Sequence, residues 1–261
     1  MTPVEMEAAS DLLYRHWREG TRIDALPEDL RPKDRAEGYG VQEKIEKYTA
    51  LPLFGWKIAA TSKAGQAHIN VDGPLAGRLL AERVIADGGD CPLGNNLMKV
   101  AELEFCFRMG ADLAPRAEAY SEDEVMAKVG GLHPAIEIPD SRYNVFEKVG
   151  MGQLIADNAC AHRFILGPAV TVDWRARDLA AEKPRGFRNG ALVETGLGAN
   201  VLGGPVIAMT WLANELSRLG ITLKKDEAVT TGTCIKPAAI AVGDLIEGDF
   251  GELGRVSVRI V

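Results

Sequence analysis

The chain has 261 residues, 46% of them hydrophobic and 26% charged, and a formal net charge of −7. This composition is typical of a globular protein that can bury a full core, and the acidic balance argues against a nucleic-acid surface. No apolar run approaches the roughly 20 residues that span a bilayer, and the acidic N-terminal residues do not resemble a signal peptide. Four scattered cysteines without a C-x-x-C pair favour buried thiols in a reducing compartment, so we expect a cytoplasmic protein.

The first part of the chain is predicted to be mainly helical. Thr2 followed by Pro3 is a helix-start signal, and the apolar stripe that follows ends at Gly20. The segments expected here are helices from Pro3 to Gly20 and at 33–48, a strand at 54–60, a short helix from Thr61 or Ser62 to His68, and a turn at 73–77.

Beyond the turn, strand patterns predominate. Asn189-Gly190 is a type I′ hairpin signal, and Pro205 opens a helix at 206–219. The other expected elements are a helix at 122–129 and strands at 79–85, 97–107, 132–138, 163–166, 228–233, 244–247 and 255–260. Because strands and helices do not alternate regularly, and nucleotide-binding loop motifs are absent, this order predicts an α+β fold with a mixed sheet.

An unusual pair of acids lies in the strand pattern Val100 to Phe107. The two-residue period of a strand places Glu102 and Glu104 on one face, and Leu103 on the other. Two neighbouring carboxylates on an apolar strand repel each other, and a hard divalent cation is one reason to keep them. The alternative is a solvated sheet edge.

A third acid, Glu137, lies in the apolar run Pro134 to Pro139. A buried carboxylate rarely persists unpaired, which favours a functional role. Three oxygen ligands without a nearby His or Cys cluster indicate Mg²⁺ or Mn²⁺ rather than zinc.

Several other polar residues have two interpretations each. Lys57 lies inside an apolar strand, where it either reaches the surface or binds an anionic substrate. His133 and His162 are either acid–base groups or core histidines. Asp157-Asn158 is a helix-cap pattern, and the segment Thr230 to Thr233 is either an anion-binding strand end or a turn.

Taken in chain order, these segments resemble the 2-keto-4-pentenoate hydratase family of the fumarylacetoacetate hydrolase superfamily, which also includes the 4-oxalocrotonate decarboxylases. The resemblance covers nearly all of the chain from about Tyr39 onward. The matching segments are Gly55-Trp56-Lys57-Ile58-Ala59-Ala60-Thr61-Ser62, Val71-Asp72-Gly73-Pro74 with Gly77, Ala101-Glu102-Leu103-Glu104, Pro134-Ala135-Ile136-Glu137, Ala156-Asp157-Asn158-Ala159 and Thr231-Gly232.

The resemblance implies a small helical N-terminal portion, at 1–82, and a mixed β-roll catalytic core, at 83–261. It implies Mg²⁺ or Mn²⁺ held by Glu102, Glu104 and Glu137, with Lys57 as an active-site residue. It further implies a homo-oligomer, and leaves association with a pathway enzyme open. The residues expected to contact substrate are Ser62, Asp157, Asn158, Thr231 and Gly232.

One departure from the family pattern concerns the turn. Several hydratases have an Asp directly after the proline, where this chain has Leu75 after Pro74. His162 lies where relatives often have a small residue, so we expect it to act as a catalytic substitute or a specificity residue.

The expected activity is hydration of a 2-hydroxypenta-2,4-dienoate-type acid in meta-cleavage degradation of aromatic compounds. A 2-oxo acid offers its carboxylate and keto oxygen together to an octahedral cation, and the same site suits decarboxylation of a 2-oxo-3-enedioate. Decarboxylation is therefore the alternative. Two further possibilities are hydrolysis of an acylpyruvate, with His133 or His162 as the base, and a non-catalytic partner subunit of the same fold.

Overall fold

The computed structural model describes residues 1–261, and the observed architecture is α+β, as predicted. The α-helices are α1 (Pro3–Glu19), α2 (Arg35–Glu43), α3 (Lys63–His68), α4 (Glu122–Met126), α5 (Met151–Ala156) and α6 (Pro205–Arg218). The strands are β1 (Gly55–Ala59), β2 (Leu75–Leu79), β3 (Val84–Ala86), β4 (Asp90–Cys91), β5 (Val100–Met109), β6 (Val129–Ile138), β7 (Arg163–Leu166), β8 (Arg185–Arg188), β9 (Ala191–Thr195), β10 (Ala228–Thr233), β11 (Ala238–Ala239), β12 (Leu245–Asp249) and β13 (Arg255–Ile260). None of the helices is long and apolar enough to cross a membrane.

The strands form two mixed sheets. The larger has eight strands in the order β2-β1-β10-β5-β6-β7-β3, with β11 added beside β5, and the smaller has five in the order β4-β13-β12-β8-β9. Parallel pairs such as β1 with β10 lie beside antiparallel pairs such as β5 with β6. The two long central strands β5 and β6 carry the three acids identified from the sequence, so this sheet positions the site.

The helical boundaries follow local signals. Thr2 caps α1 through a reciprocal capping box with Glu5, and Gly20 ends the helix in the left-handed region at φ 65°. The helix expected at 33–48 begins at Arg35 because Asp34 caps it, and its last turn is a tighter 3₁₀ segment, Lys44–Tyr48. The helix expected at 122–129 ends at Met126, because Val129 already pairs in β6.

The strand prediction at 79–85 was wrong, and so was the turn prediction for the second half of 73–77. Leu75–Leu79 is extended as β2 because it pairs along its whole length with β1, from Ala59 opposite Leu75 to Gly55 opposite Leu79. A short 3₁₀ turn, Ala81–Arg83, then separates β2 from β3. Backbone pairing with a distant strand overrides the local Gly-Pro turn signal here.

The hairpin and the last helix agree with their sequence signals. Asn189 and Gly190, at φ 53° and 78°, connect β8 to β9, and Pro205 is the first residue of α6. The division at residue 82 stays a prediction. The strands β1 and β2 precede it, yet they are hydrogen-bonded into the large sheet, so the purely helical layer comprises the chain before Gly55.

Candidate metal centre and active site

Three glutamates meet at the centre of the large sheet. Glu102 and Glu104 project from the same face of β5, and the antiparallel register sets Glu137 of β6 directly opposite Glu102. One ligand atom from each of the three carboxylates lies within 4.8 Å of the others. The structure therefore brings together all three acids of the predicted metal site.

The hydrogen bonding of this cluster leaves buried oxygen atoms without partners. Oε2 of Glu104 accepts hydrogen bonds from the Thr230 hydroxyl and, at 2.8 Å, from the Gly232 N–H. Oε1 of Glu104 and both oxygens of Glu137 have no hydrogen-bond partner, although both residues are completely buried. A buried carboxylate oxygen without a donor is costly. Because these orphaned atoms are hard oxygen donors, the cluster fits a hard divalent cation.

The electrostatics of the metal-free cluster agree with that fit. Burial, together with the charge of Glu137, raises the pKa of Glu102 to about 7. Burial and the other two carboxylates raise the pKa of Glu104 well above its ordinary value, and burial raises the pKa of Glu137 despite Lys57. The three carboxylates therefore resist ionising together unless positive charge is added between them.

Lys57 reaches the same cluster from β1. Its Nζ lies 3.1 Å from Oε1 of Glu137 and donates a hydrogen bond of 3.0 Å to the carbonyl of Ala159. Burial alone lowers the pKa of this lysine, but the three glutamates, with Glu137 the strongest, raise it above its usual value. Lys57 is therefore an ammonium group at the edge of the glutamate cluster.

A cavity of about 1000 Å³ opens onto this cluster. Lys57, Glu102 and Ser62 line the cavity, and Ser62 is one of the predicted substrate contacts. The Oγ atom of Ser62 also accepts a 3.0 Å hydrogen bond from the Gly65 N–H at the start of α3. Its apolar wall includes Ile58, Ala59, Leu75, Met98, Phe146 and Leu154. The volume lies within the range of small-molecule sites.

Neither Thr231 nor Gly232 lines the cavity, and of the two only Gly232 contacts a glutamate of the cluster. The hydroxyl that reaches Glu104 belongs to Thr230, and the Thr231 hydroxyl donates instead to the Phe105 carbonyl at 3.0 Å. Gly232 adopts φ 92°, and a Cβ there would lie 2.4 Å from Oγ1 of Thr61. Gly232 therefore helps to position Glu104, and substrate contact by Thr231 and Gly232 stays a prediction.

Asp157 and Asn158 do not line the cavity either. Asp157 is buried in an ion pair with Arg142 and accepts a 2.6 Å hydrogen bond from Ser141. Asn158, at φ 55°, clamps the backbone of Arg78, accepting from its N–H at 2.7 Å and donating to its carbonyl at 2.8 Å. Both residues therefore fix the chain that leads to Ala159, and their substrate contact stays a prediction.

The two histidines considered as acid–base groups lie outside the cavity. Nδ1 of His162 accepts a 2.7 Å hydrogen bond from Nε1 of Trp17. Burial and nearby arginines, Arg142 foremost, lower the pKa of His162 to about 2. His133 contacts the Gly167 carbonyl through Nδ1 at 2.9 Å. The geometry therefore gives neither histidine a place beside the glutamate cluster, and a catalytic role of His162 stays a prediction.

Several polar residues of the cavity were not identified from the sequence as site residues. Among them are Thr61, His68, Asn144, Glu147, Asn200 and Lys236. Thr61 is one of the two residues expected to start the short helix that ends at His68. Lys236 follows the polar strand end Thr230 to Thr233 by three residues. That proximity along the chain is the one local signal that could have identified Lys236. His68 and Glu147, whose Nε2 and Oε1 atoms lie 4.0 Å apart, come from separate segments without a shared pattern.

Comparisons with known proteins agree with this geometry. The 2-keto-4-pentenoate hydratase of Paraburkholderia xenovorans is 30% identical over 259 residues, 98% of this chain and 95% of that protein. The 4-oxalocrotonate decarboxylase of Pseudomonas putida is 31% identical over 246 residues, 92% of this chain and 90% of that protein. No protein-family model matches the chain.

Among solved structures, a 4-oxalocrotonate decarboxylase from Pseudomonas putida G7, complexed with magnesium and adipate, superposes with a TM-score of 0.90 and 27% sequence identity. The match covers 100% of this chain and 99% of that one. With similarity over its whole length in both sequence and fold, the chain belongs to the 2-keto-4-pentenoate hydratase and 4-oxalocrotonate decarboxylase family of the fumarylacetoacetate hydrolase superfamily.

Proposed function

We propose that this protein is a metal-dependent hydro-lyase that adds water to a 2-hydroxypenta-2,4-dienoate-type acid in meta-cleavage degradation of aromatic compounds. The observation that carries the proposal is the cluster of Glu102, Glu104, Glu137 and Lys57, of which Glu102 and Lys57 line one cavity. Relatives about 30% identical over nearly the whole chain are hydratases of such acids, which supports the same reaction class here.

Glu102, Glu104 and Glu137 are the proposed ligands of Mg²⁺ or Mn²⁺. When bound, such a cation supplies Lewis-acid stabilisation of negative charge on a substrate oxygen. Two hydrogen bonds, from Thr230 and Gly232 to Oε2, hold the Glu104 carboxylate in position. Oε1 of Glu104 and Oε2 of Glu137 have no hydrogen-bond donor or ion-pair partner within the chain and are the oxygens available to coordinate a cation.

Lys57 is the proposed catalytic cation of the chain itself. In the metal-free protein the three neighbouring carboxylates raise the pKa of Lys57, which favours its ammonium form. Its position beside Glu137 suits two tasks, which are holding that carboxylate in place and stabilising charge on an enolate oxygen of the substrate.

The proposed reaction balances as a net addition of water. The enol of 2-hydroxypenta-2,4-dienoate loses its hydroxyl proton and gains a proton at C5, which leaves an α,β-unsaturated ketone. Water then adds across the C3–C4 bond, with its hydroxyl at C4 and its proton at C3, and the product is 4-hydroxy-2-oxopentanoate. The apolar wall that includes Ile58 and Leu75 limits bulk water around the carbon chain.

Decarboxylation of a 2-oxo-3-enedioate is the second candidate. The observation that favours it is Leu75, a fully buried apolar side chain that lines the cavity where several hydratases carry an acid. Loss of CO₂ requires no base to activate water, so an apolar residue at this position is compatible with it. Hydrolysis of an acylpyruvate is disfavoured, because His133 and His162 lie outside the cavity.

A spectrophotometric assay tests the proposal and separates the candidates. The purified protein, stripped of metal and then supplied with Mg²⁺ or Mn²⁺, is mixed with 2-hydroxypenta-2,4-dienoate, and loss of the diene absorbance is followed with product identification. Metal-dependent formation of 4-hydroxy-2-oxopentanoate is the expected result. Absence of turnover, together with CO₂ release from 2-oxohex-3-enedioate, would favour the decarboxylase. If neither acid reacts and no metal binds, the chain is a non-catalytic partner.

Assembly is proposed to be homo-oligomeric. The resemblance to the family supports this, and light scattering coupled to size-exclusion chromatography tests it. A mass of one chain, 28.1 kDa, would contradict it.

A further inference from the structure

We propose that Lys236 is a carboxylate-binding residue of the cavity, and that it recognises a carboxylate of a short oxo or enol acid. This inference deepens the proposed function and rests on it. Lys236 lines the same cavity as Lys57 and Glu102, but it comes from a different part of the fold, the connection between β10 and β11.

The register of the sheet brings this connection beside the three glutamates. Thr233 of β10 pairs with Glu104, whereas Ala238 of β11 pairs with Ala101. Four residues, 234–237, therefore lie opposite only two residues of β5, 102–103. The two extra residues form a bulge out of the sheet. Thr233, Lys236 and Glu102 all line the cavity, so the bulge carries the lysine to the rim of the site.

The backbone of the bulge is held firmly on both sides. The Cys234 N–H donates to the Leu103 carbonyl at 2.9 Å, and the Cys234 carbonyl accepts from Asn200 at 2.9 Å. The Ile235 side chain is buried, and the Ile240 N–H donates to the Lys99 carbonyl at 2.9 Å. The Lys236 side chain is exposed and forms no ion pair within the chain.

Charge balance explains why the cavity needs this lysine. Three ionised glutamates, one divalent cation and the Lys57 ammonium sum to zero, so the cluster itself has no surplus positive charge for an incoming anion. Glu147 adds one more carboxylate to the cavity wall, so the cavity has no surplus positive charge from its other residues. Lys236 thus adds the positive charge that a carboxylate, or the dianionic dienolate derived from it, requires.

Binding of two unreactive acids tests the inference directly. Titration calorimetry in Mg²⁺-containing buffer gives Kd values for 2-oxopentanoate, with one carboxylate, and 2-oxoadipate, with two. We expect Lys236→Met to weaken binding of at least one acid by about tenfold, the loss of one charge-assisted contact, and Lys236→Arg to restore it. Lys63→Met, which removes an exposed lysine of α3, is the matched control and should change neither Kd.

The pattern identifies the carboxylate that Lys236 binds. Weaker binding of both acids assigns it to the carboxylate at C1, and weaker binding of 2-oxoadipate alone assigns it to the distal carboxylate. Unchanged binding of both acids by Lys236→Met, failure of arginine to restore binding, or an equal loss of Mg²⁺ affinity would overturn the inference. If the wild-type protein turns over the dienoate but Lys236→Met leaves both Kd values unchanged, only this inference is refuted. Lysine-dependent acid binding without turnover refutes only the hydratase.

Discussion

Lys57 and Glu137 form a buried ion pair across the sheet, with Nζ 3.1 Å from Oε1 and side chains only 4% and 0% exposed. They come from β1 and β6, which are separated in the sheet by β10 and β5. The ion pair couples the lysine to the glutamate cluster, so removing the charge of one partner changes the electrostatic environment of the other.

Removal of the lysine should destabilise the metal-free protein. Lys57→Met leaves Glu137 as a buried charge without compensation, a loss of about 3–5 kcal/mol in the free energy of unfolding. Urea unfolding in the presence of a chelator measures this, and added Mg²⁺ should narrow the deficit because the cation replaces the missing positive charge. The double variant Lys57→Met/Glu137→Gln should be more stable than the single one. A single variant as stable as the wild type would contradict the buried ion pair.

Replacement of one ligand should separate metal binding from stability. Glu104→Gln is expected to weaken Mg²⁺ binding by at least about tenfold and to abolish turnover, while the metal-free protein keeps or gains thermal stability because like charges are removed. Calorimetry and a thermal melt measure the two effects. Glu147→Gln, which changes a cavity carboxylate outside the cluster, is the control and should leave Mg²⁺ affinity unchanged.

Mg²⁺ affinity should depend on pH. Glu102 has a pKa of about 7 in the metal-free protein, so below that pH the cation must displace a proton and its affinity falls as the solution is acidified. A raised carboxyl pKa in the folded state stabilises the protein below the unfolded pKa of about 4.5. This contribution is lost as the pH rises through about 7. Mg²⁺ should therefore raise the melting temperature more at about pH 8 than at about pH 5, and equal shifts would refute the coupling.

Gly77 should be intolerant of a side chain. A Cβ there would lie 2.5 Å from the Asn158 carbonyl oxygen and 3.0 Å from Cγ of Lys57. We expect Gly77→Ala to cost about 1–3 kcal/mol by overpacking and to lower kcat by displacing the lysine. Gly73→Ala is the matched control, since the nearest atom to its Cβ, Nη2 of Arg35, is 3.7 Å away. Equal behaviour of the two variants in unfolding and turnover assays would argue against the packing of Lys57 on Gly77.

His162 should affect stability and not turnover. Its pKa is lowered to about 2, so it stays neutral throughout the pH range of an assay and should contribute no acidic limb to the rate profile. His162→Ala leaves the Trp17 N–H without its acceptor, a cost of about 1–3 kcal/mol, whereas His162→Asn can retain an acceptor. A drop in kcat with unchanged stability would restore the catalytic role.

Much of the glutamate cluster could be predicted from local sequence. The two-residue period of a strand places Glu102 and Glu104 on one face whatever the rest of the chain does. The apolar surroundings of Glu137 likewise indicated a buried acid with a special partner. The cap of α1, the hairpin at Asn189-Gly190 and the start of α6 are local signals of the same kind, and the structure confirms them.

The remaining features depend on contacts between distant segments, and therefore only the tertiary structure decided them. The register that sets Glu137 opposite Glu102 and the reach of Lys57 from β1 are examples. Strand pairing with β1 overrode the Gly-Pro turn at β2, and burial near several arginines lowered the pKa of His162 to about 2. Periodicity along one strand is a property of neighbouring residues, whereas register, burial and pKa are set by segments far apart in sequence.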